Sequence, residues 1–157
     1  MAADGDGAAR DGSTRDRSTR AEGIPFEELT VGRSATFTKT VTETDVVLFA
    51  GITGDMNPLH VDREAAGRSR FGGRLAHGML TAGLVSAVLG TRLPGPGCVY
   101  LSQSLRFVAP VRIGDTVTAR VEVTGLEPDR NLVRLRTTCA NQEGETVLEG
   151  EAELLVP

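Results

Sequence analysis

Hydrophobic positions along this chain change period once, and the change separates a helix-bearing half from a strand-bearing half. From His77 to Leu89 nearly every position is apolar or small, so a helix there has no polar flank. Such a helix must be enclosed by protein, because a surface helix shows a polar side. Ala82, Gly83, Ser86 and Ala87 are small enough for a sheet to approach closely, and Leu93-Pro94-Gly95-Pro96-Gly97 stops the helix as a turn. Beyond it the period becomes two. Val99, Leu101, Gln103, Leu105 and Phe107 fall on one strand face, and Tyr100, Ser102, Ser104 and Arg106 on the other. The turn Val111 to Asp115 leads to a strand from Thr116 to Leu126. The polar turn Glu127 to Asn131 leads to Leu132 through Asn141, and Gln142 to Glu145 leads to Thr146 through Val156. The last three strands alternate and short turns join them, which makes them an antiparallel meander.

Upstream of the helix the pattern is shorter-ranged. Ala35, Phe37 and Val41 alternate loosely with small or polar residues, which suits a strand from Ser34 to Val41. Thr42 stands three residues before Asp45, a capping-box pattern opening a short helix through Val46, Val47, Phe49 and Ala50, with Gly51 and the polar stretch Thr53 to Pro58 ending it. Pro58 keeps the segment around it from regular helix. Asp62 is placed to cap a second short helix, Arg63 to Gly67, and a loop rich in Gly and Arg runs from Ser69 to Leu75. One apolar helix and a run of antiparallel strands give an α+β architecture with the sheet wrapped around the helix. Residues 1–23 carry no aromatic and no branched aliphatic side chain, so they read as a disordered tail, and the folded domain spans 24–157.

Composition narrows the function classes. Hydrophobic residues at 39% and charged ones at 24% are globular proportions, and 157 residues suffice for one domain with its own core. A net charge of -4 gives no long-range attraction to nucleic acid or to an anionic membrane, so neither is an expected partner. The longest apolar run, Met79 to Leu89, falls short of the roughly 20 residues that span a bilayer. Cys98 and Cys139 lack metal-ligand spacing and read as reduced thiols. With no feature of a signal or transit peptide near Met1, the expected compartment is the cytoplasm.

The chain has two histidines, His60 and His77, both beside turn residues. Asp55 and His60 bracket Met56-Asn57-Pro58-Leu59, and a bend there brings carboxylate and imidazole to one point. Their ordinary pKa values are about 3.9 and about 6.5, and a rise for Asp on burial would bring both near working pH, where acid/base catalysis is efficient. The plainer reading is a turn-capping Asp and a solvated His. No third ligand accompanies the pair at a recognised spacing, which argues against a metal. Gly78 falls in the first turn of the apolar helix, whose leading N–H groups have no internal partners and lie at the positive end of the dipole. A thioester carbonyl placed there would be polarised, each such donor being worth roughly 2.7–4 kcal/mol; the plainer reading is a tight turn into the helix. Ser86, inside the helix, is read either as bonding back one turn or as serving the site.

At this point the residues become recognisable. The stretch Phe49 to Asp62, Phe-Ala-Gly-Ile-Thr-Gly-Asp-Met-Asn-Pro-Leu-His-Val-Asp, closely resembles the hydratase-2 motif of MaoC-like proteins, and His77-Gly78-Met79-Leu80 resembles the start of the same family's helix. Gly97 to Phe107, with Pro110-Val111 and Gly114-Asp115, resembles the bacterial (R)-hydratases that feed polyhydroxyalkanoate synthesis. The resemblance runs from about Leu29 onward and implies a hot-dog fold, usually dimeric. It implies (R)-specific hydration of trans-2-enoyl-CoA, with Asp55 and His60 as the catalytic pair, the Gly78 amide on the thioester oxygen, Asn57 bracing the loop and Ser86 near the pair. Leu89 and Leu154 are candidates for the acyl pocket. The reaction it implies needs neither metal nor organic cofactor. Two alternatives stay open: a dehydratase subunit acting on acyl-carrier-protein thioesters, with Arg68, Arg70, Arg74 and Arg92 as a basic rim, and a non-catalytic acyl-thioester-binding partner subunit.

Overall fold

In the computed structural model, which describes residues 22–157, strands β1 (Ser34–Thr40), β2 (Val99–Phe107), β3 (Thr116–Glu127), β4 (Leu132–Ala140) and β5 (Thr146–Leu155) form one antiparallel sheet in the order β1-β3-β4-β5-β2. Helices α1 (Glu43–Thr53), α2 (Pro58–Val61) and α3 (Arg63–Gly67) lie in the connection before α4 (Gly78–Thr91), which packs on β1, β3 and β4. This is the hot-dog arrangement that the resemblance implies. The tail reading of residues 1–21 lies outside the described residues; from Ile24 the chain is fastened, its N–H donating to the Pro94 carbonyl at 2.8 Å. Among the described residues no helix is long and apolar enough to cross a membrane.

Alternation places the core as expected on the meander strands. Val117, Ala119, Val121 and Val123 of β3, and Val133, Leu135 and Cys139 of β4, point inward and are buried against Val85, Val88 and Leu89 of α4. Strand β2 departs from the simple alternation. A bulge shifts its register between Tyr100 and Ser102, and Val99, Leu101 and Phe107 remain exposed, because β2 is an edge strand with no layer over this side. Helix α4 departs too. Thr81, Leu84, Val85, Val88 and Leu89 are buried, but Met79 is 55% exposed, and Gly83, Ser86 and Gly90 on the same flank are exposed as well. A single sheet covers one side of a helix whose composition asks for cover on all sides.

Two local expectations need correction, and both concern the approach to the site. Helix α1 opens on the Thr42/Asp45 capping box but runs past Gly51 to Thr53. A helical glycine costs only about 1 kcal/mol, whereas Gly54 adopts φ 77°, the left-handed conformation that terminates a helix, with its N–H on the Ala50 carbonyl at 2.9 Å. Pro58 starts a helix where the sequence reading had it prevent one. Asn57 is the N-cap, accepting from the Leu59 N–H at 3.1 Å, and Pro58 occupies the first helical position, where a missing donor costs nothing. His60 therefore stands on a one-turn helix. Asp62 caps α3 as expected, accepting from Glu64 and Ala65 N–H at 2.9 and 3.0 Å.

Candidate active site

The capped turns between α1 and α3 lay Asp55 and His60 against the start of α4. Asn57 stitches the link from both sides: its N–H reaches Asp55 Oδ1 at 3.2 Å and its Oδ1 caps α2. Arg74 holds the turn from behind, donating from Nε to the His60 carbonyl at 2.5 Å and pairing with Glu43 at 2.7 Å. The following segment is clasped twice, by Leu75 N–H on the Leu59 carbonyl at 3.1 Å and Ala76 N–H on the Val111 carbonyl at 2.8 Å. That clasp delivers His77 and Gly78 to the same place.

The result is a constellation of three. Ligand-capable atoms of Asp55, His60 and His77 all lie within 4.8 Å of one another. His60 Nδ1 is 2.9 Å from the Leu75 carbonyl, so Nδ1 carries the proton and Nε2 keeps its lone pair. His77 Nε2 is 3.0 Å from the Asp55 carbonyl, and its ring stacks on His60 with centroids 3.9 Å apart. Asp55 is exposed and His60 half-buried, so this chain alone does not supply the burial expected for the carboxylate; His77 is 1% exposed. Among the described residues no side chain caps α4, which leaves its first N–H groups, Gly78 foremost, open to a ligand.

All four residues border one cavity of about 560 Å³, with apolar walls that include Leu59, Phe71, Met79, Phe107, Val108 and Val147. A small polar end in an apolar cleft is the usual form of a small-molecule site. Arg70 also borders it, its guanidinium 4.7 Å above the Phe71 ring. Of the other arginines expected at a basic rim, Arg74 is committed to Glu43 and Arg92 to the Thr36 carbonyl and the Phe37 face, while Arg68 is exposed. Ser86 lies on the open flank of α4 and does not border the cavity; Leu89 and Leu154 are fully buried in the core, away from its walls.

The sequence reading missed His77 as a member of the group. In the sequence it stands only as the residue before Gly78, and local spacing does not reach it, since it arrives from 22 residues beyond Asp55. Its one signal was that it is the other histidine. In number and type the three donors would suffice for a divalent ion, and each imidazole gives one nitrogen to a backbone carbonyl and keeps the other.

Comparison with known proteins bears on this geometry. The MaoC like domain matches residues 27–144. The chain is 57% identical over 132 residues to an (R)-specific enoyl-CoA hydratase of Rhodospirillum rubrum, covering 84% of this chain and 91% of that protein. It is 56% identical over 132 residues to a 3-hydroxybutyryl-CoA dehydratase of Methylorubrum extorquens, covering 84% and 83%. Among solved structures, the unliganded R-hydratase PhaJ1 of Pseudomonas aeruginosa superposes with a TM-score of 0.82 at 46% identity, covering 86% of each chain. The (R)-hydratase of A. caviae involved in PHA biosynthesis gives 0.81 at 43%, covering 83% of this chain and 99% of that one.

Proposed function

The chain belongs to the MaoC-like domain family, and from that premise we propose that it is an (R)-specific enoyl-CoA hydratase in which Asp55 and His60 are the acid/base pair. The observation that carries this is one cavity holding a carboxylate, an imidazole with a free Nε2 and the open N-terminus of a buried helix. A water sits between Asp55 and His60. His60 Nε2 takes one of its protons while the oxygen forms the bond to C3 of the trans-2-enoyl thioester. The alkene electrons move onto the thioester oxygen, where the Gly78 N–H carries the developing charge. The proton held on His60 Nε2 is delivered to C2 from the same face, while the Asp55 carboxylate accepts a hydrogen bond from the water's other hydrogen, which stays on the new hydroxyl; the product is the (R)-3-hydroxyacyl thioester, and every step reverses. The thioester itself activates the alkene, so the scheme uses no metal or organic cofactor.

Arg70 at the cavity border meets the phosphates of the CoA arm. With Arg74 and Arg92 engaged within the chain, the basic rim that an acidic carrier protein would need is thin, which favours CoA as the carrier. The protein works as a homodimer: the open flank of α4 and the apolar edge of β2 run together beside the cavity at Met79 and Phe107, and a second copy covers both. Its place is the cytoplasm, where acyl-CoA thioesters and reduced thiols occur together.

The test is hydration of crotonyl-CoA by purified protein, following loss of the conjugated thioester absorbance and the chirality of the product. Asp55→Asn and His60→Gln should each lower turnover about 10²- to 10⁴-fold. Near-wild-type turnover in both variants would remove the mechanism.

A further inference from the structure

The acid/base pair is held by a third side chain that takes no part in the chemistry above. His77 is 1% exposed, and its two nitrogens stand in different situations. Nε2 faces the Asp55 carbonyl at 3.0 Å and must carry the proton to do so, which leaves the Nδ1 of the neutral ring as a bare acceptor. That Nδ1 is buried and has no hydrogen-bond partner among the described residues. A buried acceptor without a donor is unfavourable, and an apolar ring of the same size would avoid it. The imidazole therefore occupies this position for what its other nitrogen and its faces do. Its plane lies against His60 at 3.9 Å between centroids and 33° between planes, and against Phe49 at 4.8 Å.

We propose that His77 is a positioning residue for the acid/base pair, pinning the Asp55 main chain through Nε2–H and the His60 ring through its face. Because His77 is also the N-cap residue of α4, the next peptide N–H in the chain is that of Gly78. One side chain thus sets the position of carboxylate and imidazole relative to the thioester oxygen. Arg74 holds α2 and Asn57 holds the turn, but neither touches both catalytic residues and the helix end together. This assignment rests on the hydratase reading.

Three substitutions separate its parts. Glutamine places an amide N–H near where Nε2–H stands and so keeps the Asp55 contact while losing the ring. Asparagine carries its amide only as far as Nδ1 and loses both, though it is a favoured N-cap residue. Phenylalanine keeps the ring and loses the donor. With crotonyl-CoA, His77→Asn and His77→Phe should lose about 100-fold in kcat, the size expected when reacting groups are displaced by about 1 Å. KM should stay within about threefold, and His77→Gln should recover about tenfold of the loss. Melting temperatures identify the variants that fold. Folded variants with wild-type kcat, a loss carried by KM, or glutamine no better than asparagine would each overturn the assignment. One measurement needs no variant: ¹⁵N spectra of the wild-type imidazoles should show His77 as the Nε2–H tautomer and His60 as the Nδ1–H tautomer. The opposite tautomer at His77 refutes the contact outright. Absence of hydration by the wild-type protein would instead refute the hydratase reading, so the two failures are distinguishable.

Discussion

Gly78→Ala puts the cavity reading under the sharpest strain, because the added atom has a known destination. A Cβ at this position would stand 2.9 Å from Phe107 Cε1 and 3.1 Å from its Cδ1 and Cζ. Carbon atoms rest at about 3.5–4.0 Å, so the ring must retreat by roughly 0.5–1 Å. Phe107 is 50% exposed in the single chain, but the proposed second copy covers it, so the cost spans the roughly 1–3 kcal/mol of an overpacked site. Alanine returns up to about 1 kcal/mol of helix propensity. The net change is therefore about 3 kcal/mol at most, a fall in melting temperature of no more than about 12 °C. Activity should respond far more. Phe107 is a wall of the cavity, and the methyl projects beside the N–H proposed to meet the thioester oxygen. A displacement near 1 Å at a reacting centre costs about 100-fold, or about 2.7 kcal/mol of transition-state stabilisation. The assay pairs crotonyl-CoA hydration with a thermal melt, and adds the double variant Gly78→Ala/Phe107→Ala, in which the clash is gone. Recovery of stability without activity assigns the loss to the methyl beside the N–H; recovery of both assigns it to the ring. A folded single variant within threefold of wild-type kcat/KM would refute the claim that substrate approaches the backbone at Gly78.

Arg70→Ala should raise KM for crotonyl-CoA about 3- to 10-fold at low salt and leave the phosphate-free crotonyl-pantetheine unchanged, with the difference shrinking in 0.5 M salt as screening removes it; equal effects on both substrates would take the phosphate role away. Burial pushes the Cys139 thiol up from the ordinary 9.0 to about 12. The unfolded chain therefore releases this proton at lower pH than the folded one, and stability is lost as pH climbs from about 9 towards 12. Urea unfolding midpoints at pH 7, 9 and 10.5 should fall more steeply in the wild type than in Cys139→Ala, and parallel slopes would contradict it.

Legibility in the sequence followed the range of the forces involved. Caps and turns depend on residues a few positions apart, so the Thr42/Asp45 box and the Asp62 cap were readable, and β3 to β5 followed from alternation alone. Where two local rules competed, the pattern along the chain did not rank them. Gly51 and Gly54 both offered a stop for α1, and only the latter takes a left-handed conformation; Pro58 was read as a breaker when Asn57 before it made it a starter. Four residues separate Asp55 from His60, and that spacing alone left them open between a catalytic pair and a turn cap; the motif resemblance is what singled the pair out. His77 was not readable, since its place beside them depends on the Leu75 and Ala76 clasps to Leu59 and Val111, which no spacing along the chain encodes.

The mismatch at α4 carries a different lesson. Hydrophobicity on every face of that helix predicts enclosure, and the folded chain encloses only the flank bearing Leu84, Val85, Val88 and Leu89. The opposite flank is not a polar surface that the sequence disguised: it presents Met79 and a run of small positions at Gly83, Ser86 and Gly90, the composition of a contact and not of a solvated face. Beside it the edge strand leaves Val99, Tyr100, Leu101 and Phe107 uncovered, where an edge facing water would carry charge. One residue of each, Met79 and Phe107, borders the cavity that holds Asp55 and His60. The sequence pattern therefore fits the homodimer proposed above, in which a second copy would cover this flank of α4 and the edge strand and supply the burial that Asp55 lacks in the single chain.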